Sequence, residues 1–81
     1  MEIIDAIKDD DIDRSLLKEL PLSFVKSNAF LPMHIKDNEL VAAVAGSQGV
    51  LALRDLARTH NLKPKALQAS KDVILDAINR I

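Results

Sequence analysis

The chain has 81 residues, a net charge of −1 and no cysteine. A chain of this length forms one domain with a thin core, because small domains bury a smaller share of their surface. The absence of cysteine excludes a disulfide framework and a thiolate metal site and favours a cytoplasmic protein. The longest apolar run, Leu40 to Ala45, is far short of the roughly 20 residues that span a bilayer. The acidic N-terminus is also unlike a secretory signal.

The charges are distributed unevenly along the chain. Residues 1–13 carry six acidic side chains and one lysine, whereas residues 14–81 have a balance of +4. Nucleic-acid binding calls for a strongly basic face, and the charge of residues 14–81 is only mildly positive. With two phenylalanines and no tryptophan or tyrosine, there is also no aromatic platform on which bases could stack. We therefore expect no nucleic-acid partner.

The first twelve residues are predicted to be an acidic leader, either flexible or ordered on a partner. The spacing of Ile3, Ile4 and Ile7 suits one or two helical turns, but so short a helix is unstable alone in water. Asp11 or Asp13 can cap a helix over residues 13–19 that places leucines on one side.

Four further elements follow in the middle of the chain. Pro21 suits the first position of a second short helix, and Asn28 is a natural left-handed terminator for it. A strand over residues 30–35 contains Pro32, which predicts a position at the sheet edge. A turn then leads into the small apolar strand over residues 40–45, predicted to be central and covered on both faces. The two strands should form an antiparallel hairpin, because the Asp37-Asn38 pair between them tolerates positive φ.

The C-terminal half is predicted as helix, strand and helix. The Gly46 to Gly49 segment ends the second strand, with Ser47 as the N-cap of a helix that Asn61 closes. Residues 63–69 make a third strand, and Ser70 caps the last helix. The core-facing side chains predicted for that helix are Val73, Ile74, Ala77, Ile78 and Ile81.

This order of elements predicts a small α+β fold. A three-stranded sheet, made of the hairpin and a third strand reached by a helical crossover, packs as a two-layer sandwich against three to four helices. Residues 13–81 form this single domain.

The sequence offers little chemistry for catalysis. His34 and His60 have no His, Cys or carboxylate at ligand spacing, so both are predicted to be structural. Gly46 to Gly49 joins a strand to a helix, as a phosphate-binding loop does, but Val50 stands where such a loop has its lysine. Asp9 to Asp11 lacks a calcium-loop pattern. We expect no catalytic residue, cofactor or metal.

A family resemblance starts at residue 20 and extends to residue 81. The segments that carry it are Leu20-Pro21-Leu22-Ser23-Phe24-Val25-Lys26, Leu31-Pro32-Met33, Leu40 to Ala45, Leu53-Arg54-Asp55-Leu56 and Ala69 to Ile78. In order and spacing this pattern resembles the N-terminal domain of the type II secretion assembly ATPases, shared in looser form by type IV pilus assembly ATPases. The chain departs from the family's Ala-x-Pro-x-Asp at residues 45–49. It also lacks the Arg-Leu-Gly and Leu-x-x-Ala-Leu-x-x-Gln segments with which a related branch binds cyclic di-GMP.

The resemblance implies a non-catalytic docking domain. In that family the domain precedes an ATPase core, through which the motors form hexamers, and contacts the cytoplasmic domain of an inner-membrane platform protein. The protein would then be cytoplasmic, recruited to the inner membrane through this partner and not inserted directly. The partner-binding residues that we predict are Ile3, Ile4, Ile7, Leu16 and Leu17, although Leu16 and Leu17 would equally suit packing on the sheet. The alternative is a regulatory domain that binds a nucleotide or anion at Gly46 to Gly49.

Overall fold

The computed structural model describes residues 2–18 and 20–80, which form a four-stranded sheet with helices on both faces. The strands are β1 (Glu2–Ile3), β2 (Phe30–Lys36), β3 (Glu39–Val44) and β4 (Lys63–Gln68). The helices are α1 (Leu22–Asn28), α2 (Ser47–Thr59) and α3 (Lys71–Arg80), preceded by 3-10 turns at Asp9–Asp11 and Arg14–Leu17. None of the described helices is long and apolar enough to cross a bilayer.

The sheet confirms the predicted small α+β fold and adds one strand to it. Its order is β1-β4-β3-β2, with β2 antiparallel to β3 and the other neighbours parallel. The extra strand is β1, so the prediction of helical turns for Ile3 and Ile4 was wrong. The Ile4 N–H donates to the Gln68 carbonyl at 2.8 Å. Pairing with β4 satisfies this backbone, whereas an isolated turn in water gains too few hydrogen bonds to persist.

The hairpin forms as predicted from its turn residues. Asp37 and Asn38 have φ values of 52° and 65°, the left-handed conformation that a tight hairpin turn requires. Strand β2 lies at the sheet edge, which confirms the position expected from Pro32. At this edge the Met33 carbonyl accepts a hydrogen bond from the Asp13 N–H at 2.6 Å. The chain before α1 therefore covers part of an otherwise open strand.

Alternating side chains of the central strand β3 enter two separate cores. Val41 and Ala43 belong to the core beneath α3 and the N-terminal segment, whereas Leu40 and Ala42 belong to the core beneath α2. This division follows from the period of two in a strand. It confirms that β3 is covered on both faces. Because helices lie on both sides of the sheet, the fold has three layers where two were predicted.

The N-terminal segment packs against the body through two isoleucines and one arginine. Ile7 and Ile12 are buried in the core beneath α3. The Arg80 guanidinium, near the end of α3, donates to the Ile7 carbonyl and lies 3.2 Å from Asp9 Oδ1. Residues 2–12, predicted as a leader, are thus held to the domain by side-chain burial and by this arginine.

The first two helical segments differ in detail from the prediction. The helix expected over residues 13–19 is a 3-10 turn at Arg14–Leu17, while residue 19 lies outside the described residues. Its cap is Asp13, as predicted, whose Oδ1 accepts from the Ser15 N–H at 3.0 Å. Pro21 precedes α1 as its N-cap and does not occupy the first helical position.

The left-handed residue after α1 is Ala29, with φ 48°, and not Asn28. Asn28 remains helical, because its side-chain amide donates to the Phe24 carbonyl at 2.8 Å. The turn therefore moves one residue along the chain, where the Ala29 N–H reaches the Lys26 carbonyl.

Helices α2 and α3 lie close to their predicted positions. The N-cap of α2 is Gly46, so the assignment of Ser47 was wrong by one residue. Asn61, with φ 57°, lies just beyond the C-terminus of α2 as predicted. The Ser70 hydroxyl accepts from the Val73 N–H at 3.1 Å, which confirms it as the cap of α3.

The side chains of α3 face the core largely as predicted. Ile74, Ala77 and Ile78 are buried and Val73 is half-buried, whereas Ile81 falls outside the described residues.

Gly49 allows α2 to approach the end of α1 closely. An added Cβ at this residue would lie 3.0 Å from the Ala29 carbonyl oxygen, 3.0 Å from Val44 Cβ and 3.1 Å from the Asn28 carbonyl oxygen. At Gly46 nothing lies within 4 Å of the same added atom. Gly49 is thus a packing requirement, while the side of Gly46 is open.

Candidate docking cleft

The five predicted partner-binding residues do not form one surface. Ile3 is 70% exposed on the edge strand β1, and Ile4 beside it is half-buried. Ile7 is only 3% exposed and lies in the core. Leu16 and Leu17 are half-buried and pack against different cores, Leu16 against the one beneath α2 and Leu17 against the one beneath α3. Of the five, Ile3 offers the most exposed apolar surface, and Leu17 lines a cleft.

This cleft, of about 490 Å³, lies between the second 3-10 turn, α1 and α3. Its floor consists of the buried side chains of Val25, Leu31 and Ile78, and its walls of more exposed leucines. The described residues that line it are Arg14, Leu17, Lys18, Leu20, Leu22, Val25, Leu31, Ile78 and Asn79. We call this surface the α1–α3 cleft.

Local geometry explains why apolar and basic side chains meet there. In a 3-10 turn, residues three apart lie one above the other, so Arg14 stands over Leu17. In α1, Leu22 and Val25 are also three apart and share a helix face. Val25 is buried, whereas Leu22, at the start of the helix, is 57% exposed. Along this face of α1 the side chains change from exposed at Leu22 to buried at Val25, and the face forms a wall of the cleft.

The described rim of the cleft is basic. Its charged members are Arg14 and Lys18, both exposed, and its one neutral polar side chain is Asn79. Asp13, just before the turn, points its carboxylate at Ser15, whose hydroxyl donates to it at 2.6 Å. The two hydrogen bonds from Ser15 lower the pKa of the Asp13 carboxyl below its ordinary value. This acid is thus engaged in capping the turn.

The two histidines of the described residues lie on different elements and do not come together. His34 Nδ1 lies 3.1 Å from the Asp11 carbonyl oxygen, and His60 is exposed at the end of α2. Across residues 2–18 and 20–80, no three His, Cys, Asp or Glu side chains are grouped so as to hold a metal ion. In the described part of the chain, every buried side-chain nitrogen or oxygen also has a hydrogen-bond partner.

Sequence reasoning missed most of the cleft. The sequence predicts a core role for Ile78 and no binding role for Leu20, Leu22 or Asn79. One signal for the cleft lies in Leu20-Pro21-Leu22, at the start of α1. Two leucines flank the proline there, and Leu22 is left largely exposed. Their contact with Ile78 could not be predicted from the sequence, because Ile78 lies more than fifty residues further along the chain.

Fold and surface together define a small α+β domain with an apolar, basic-rimmed cleft. Comparison with known proteins identifies the family. The chain matches the MshEN domain family over residues 4–81, and it belongs to that family. This confirms the resemblance to the N-terminal domains of secretion and pilus assembly ATPases. No curated protein matches the chain.

Solved structures share the fold. One structure of the N-terminal domain of XpsE is 23% identical, with a TM-score of 0.74 over 99% of this chain and 56% of that one. Another crystal form of the same domain gives 17% identity and a TM-score of 0.67 over 95% of this chain and 56% of that one. A structure of MshE with cdg is 15% identical, with a TM-score of 0.67 over 95% of this chain and 58% of that one. The chain thus spans a little over half the length of each.

Proposed function

We propose that this domain is a non-catalytic docking module of a type II secretion or pilus assembly ATPase. It binds the cytoplasmic domain of an inner-membrane platform protein and thereby recruits the motor to the membrane. The family match over residues 4–81 carries the proposal, since the N-terminal domains of these ATPases precede the motor core. ATP hydrolysis and hexamer formation would belong to that core.

The surface is consistent with a docking role. Large apolar side chains are exposed at Ile3, Leu22 and Leu51, at 70%, 57% and 59%. Single exposed side chains of this kind are common on folded proteins, so the clustering of Leu22 with the other leucines of the α1–α3 cleft is the more informative feature. Apolar patches bordered by polar residues typically mark protein interaction sites.

Calorimetry tests the docking role. The 81-residue chain is titrated with the purified cytoplasmic domain of the inner-membrane platform protein from the same organism. We expect saturable binding with a negative heat-capacity change, because apolar surface is buried. Absence of binding, with both proteins folded by circular dichroism, would contradict the proposal.

A matched pair of variants tests the predicted contribution of β1. Ile3→Ser removes an exposed apolar side chain at the sheet edge, and Leu51→Ser removes one of similar exposure on α2. If the β1 edge belongs to the interface, Ile3→Ser weakens binding of the platform domain and Leu51→Ser does not. Equal effects would remove Ile3 from the interface.

A regulatory nucleotide-binding domain is the second candidate, because a structure of MshE with cdg shares the fold. Residues Gly46 to Gly49 lead into the N-terminus of α2, where backbone N–H groups favour anions. The experiment is a chemical-shift titration with cyclic di-GMP and with ATP. A saturable shift centred on residues 47–50 would support this candidate, and no shift up to millimolar ligand would dismiss it.

A further inference from the structure

We propose that the α1–α3 cleft binds one amphipathic helix of the partner, and that this helix carries acidic residues beside its apolar stripe. This inference rests on the proposed docking role and specifies the chemistry of the contact. Three features of the cleft support it: its apolar floor, its basic rim and the arrangement of its walls.

The apolar floor of the cleft fits apolar side chains of a partner better than a polar ligand. Val25, Leu31 and Ile78 are almost fully buried at its base, and Leu17, Leu20 and Leu22 surround them. Small-molecule sites usually place a few polar groups inside the pocket to orient the ligand. The polar side chains among the described lining residues are all exposed at the rim. Such a cleft suits apolar side chains better than a small polar molecule.

The walls favour a helix over a strand. They are formed by side chains of a 3-10 turn, α1 and α3, and recognition through such walls uses anchors at i, i+3, i+4 and i+7 of a helix. Strand addition would need free backbone groups along a sheet edge. On β2, the nearest edge strand, the Met33 carbonyl is already bonded to the Asp13 N–H.

The basic rim sets the charge of the occupant. Arg14 and Lys18 both line the cleft, and both are exposed. A bound helix with glutamate or aspartate next to its apolar stripe would bring carboxylates to these two cations. Complementary charge raises the association rate and selects the partner.

A second copy of this chain is a poor occupant. Helix α2 carries one large exposed apolar side chain, Leu51, and not a stripe. Beside it lie Arg54 and the Asp55–Arg58 ion pair, so its charges are mixed. Helix α3 uses Ile74 and Ile78 in its own core. Neither of these two helices presents a free apolar stripe with acidic flanks, so the occupant comes from another protein.

A pair of designed peptides tests the charge of the occupant. One is an amphipathic helix of about 18 residues, long enough to be partly helical alone, with leucines on one face and glutamates on both flanks. Its twin has lysine at every glutamate position. We expect amide shifts of the ¹⁵N-labelled chain around Leu17, Leu22 and Ile78 with the glutamate peptide. The lysine peptide should bind about ten-fold more weakly, because two exposed ion pairs are replaced by like-charge contacts.

Charge reversal on the protein provides the matching variants. Arg14→Glu combined with Lys18→Glu should exchange the preference, so that the lysine peptide binds more tightly than the glutamate peptide. The control, Arg54→Glu combined with Lys63→Glu, reverses two exposed cations beside α2 and β4 and should leave the preference unchanged. Equal binding of the two peptides, or shifts away from the cleft, would overturn the proposal. A concentration-dependent dimer abolished by the cleft variant would also overturn it, in favour of a second copy.

The same variants separate this inference from the docking role. If the platform domain binds and the Arg14/Lys18 variant weakens that binding about ten-fold, both stand. If the platform domain binds both double variants equally, docking stands and the cleft is refuted as its site. If the glutamate peptide binds at the cleft while the platform domain does not bind, the cleft stands and its proposed partner is refuted.

Discussion

The packing of Gly49 makes a prediction that can be worked through from the structure. The change is Gly49→Ser, compared with Gly46→Ser three residues earlier. At residue 49 the new Cβ would meet two carbonyl oxygens and Val44 Cβ at 3.0 to 3.1 Å. Two of these three neighbours are backbone, so neither can turn away as a flexible side chain would. At residue 46 the added atom meets open space.

The magnitude follows from two opposing effects. Forcing extra atoms into a packed site costs about 1–3 kcal/mol. Replacing glycine inside a helix returns up to about 0.5 kcal/mol through better helix propensity. The expected loss of unfolding free energy for Gly49→Ser is therefore about 1–2 kcal/mol. Gly46→Ser should be neutral or slightly stabilising, because serine is a preferred N-cap residue.

The assay is thermal and urea unfolding followed by circular dichroism. In a domain of this size, each kcal/mol lowers the Tm by about 4–8 °C, so Gly49→Ser should melt roughly 5–15 °C below the unmodified protein. Gly46→Ser should melt within a few degrees of it. If Gly49→Ser is as stable as Gly46→Ser, α2 does not approach the end of α1 as described.

Three further predictions concern caps and the N-terminal segment. Ser70→Ala removes the cap of α3 and should cost about 1 kcal/mol in urea unfolding, while Ser70→Asp should restore most of the loss; equal stability of all three proteins would refute the cap. Arg80→Met removes the contacts of the guanidinium with Asp9, Asp76 and the Ile7 carbonyl. It should speed amide exchange in residues 2–12, with a global cost of about 1–2 kcal/mol, because two half-exposed ion pairs and one charged hydrogen bond are lost. Unchanged exchange would show that Arg80 does not hold this segment to the domain. Ser15→Ala should raise the pKa of Asp13 toward its ordinary value in an NMR titration. Because the folded pKa is the lower one, the stability linked to Asp13 is present above its unfolded pKa and is lost as pH falls through the folded value. If the pKa of Asp13 is the same in Ser15→Ala, the Ser15 hydroxyl is not the cause of its lowered value.

Local chemistry explains which parts of the fold could be predicted. The hairpin depends on Asp37 and Asn38, which accept positive φ, and on Pro32, which restricts its strand to an edge. The cap of α3 depends on Ser70 and the N–H of the residue three positions on. Each of these signals acts within a few residues, so the sequence displays it directly.

Elements that depend on distant partners were missed or misassigned. Ile3 and Ile4 have helical spacing, but β4, more than sixty residues away, offers their backbone a parallel partner. Ile7 looked like a surface anchor, yet it fills a core completed by α3. The left-handed residue fell on Ala29 because the Asn28 side chain bonds within its own helix.

The cleft shows the same limit for function. The apolar character of Leu17 does not by itself indicate an interface, because half-buried apolar residues serve cores and interfaces equally well. What distinguishes it is its position beside Leu22, Ile78 and the cations Arg14 and Lys18. That juxtaposition joins the N-terminal third of the chain to its last helix, and only the tertiary structure reveals it.

The most direct test of the docking role is a chemical-shift map of the complex. The ¹⁵N-labelled chain is titrated with the platform protein's cytoplasmic domain, and amide shifts are followed to saturation. We predict saturable shifts concentrated around residues 14–25 and 78–79, with the exposed face of α2 around residue 54 unaffected. A spectrum that remains unchanged at millimolar partner, with both proteins folded, would contradict the docking role itself.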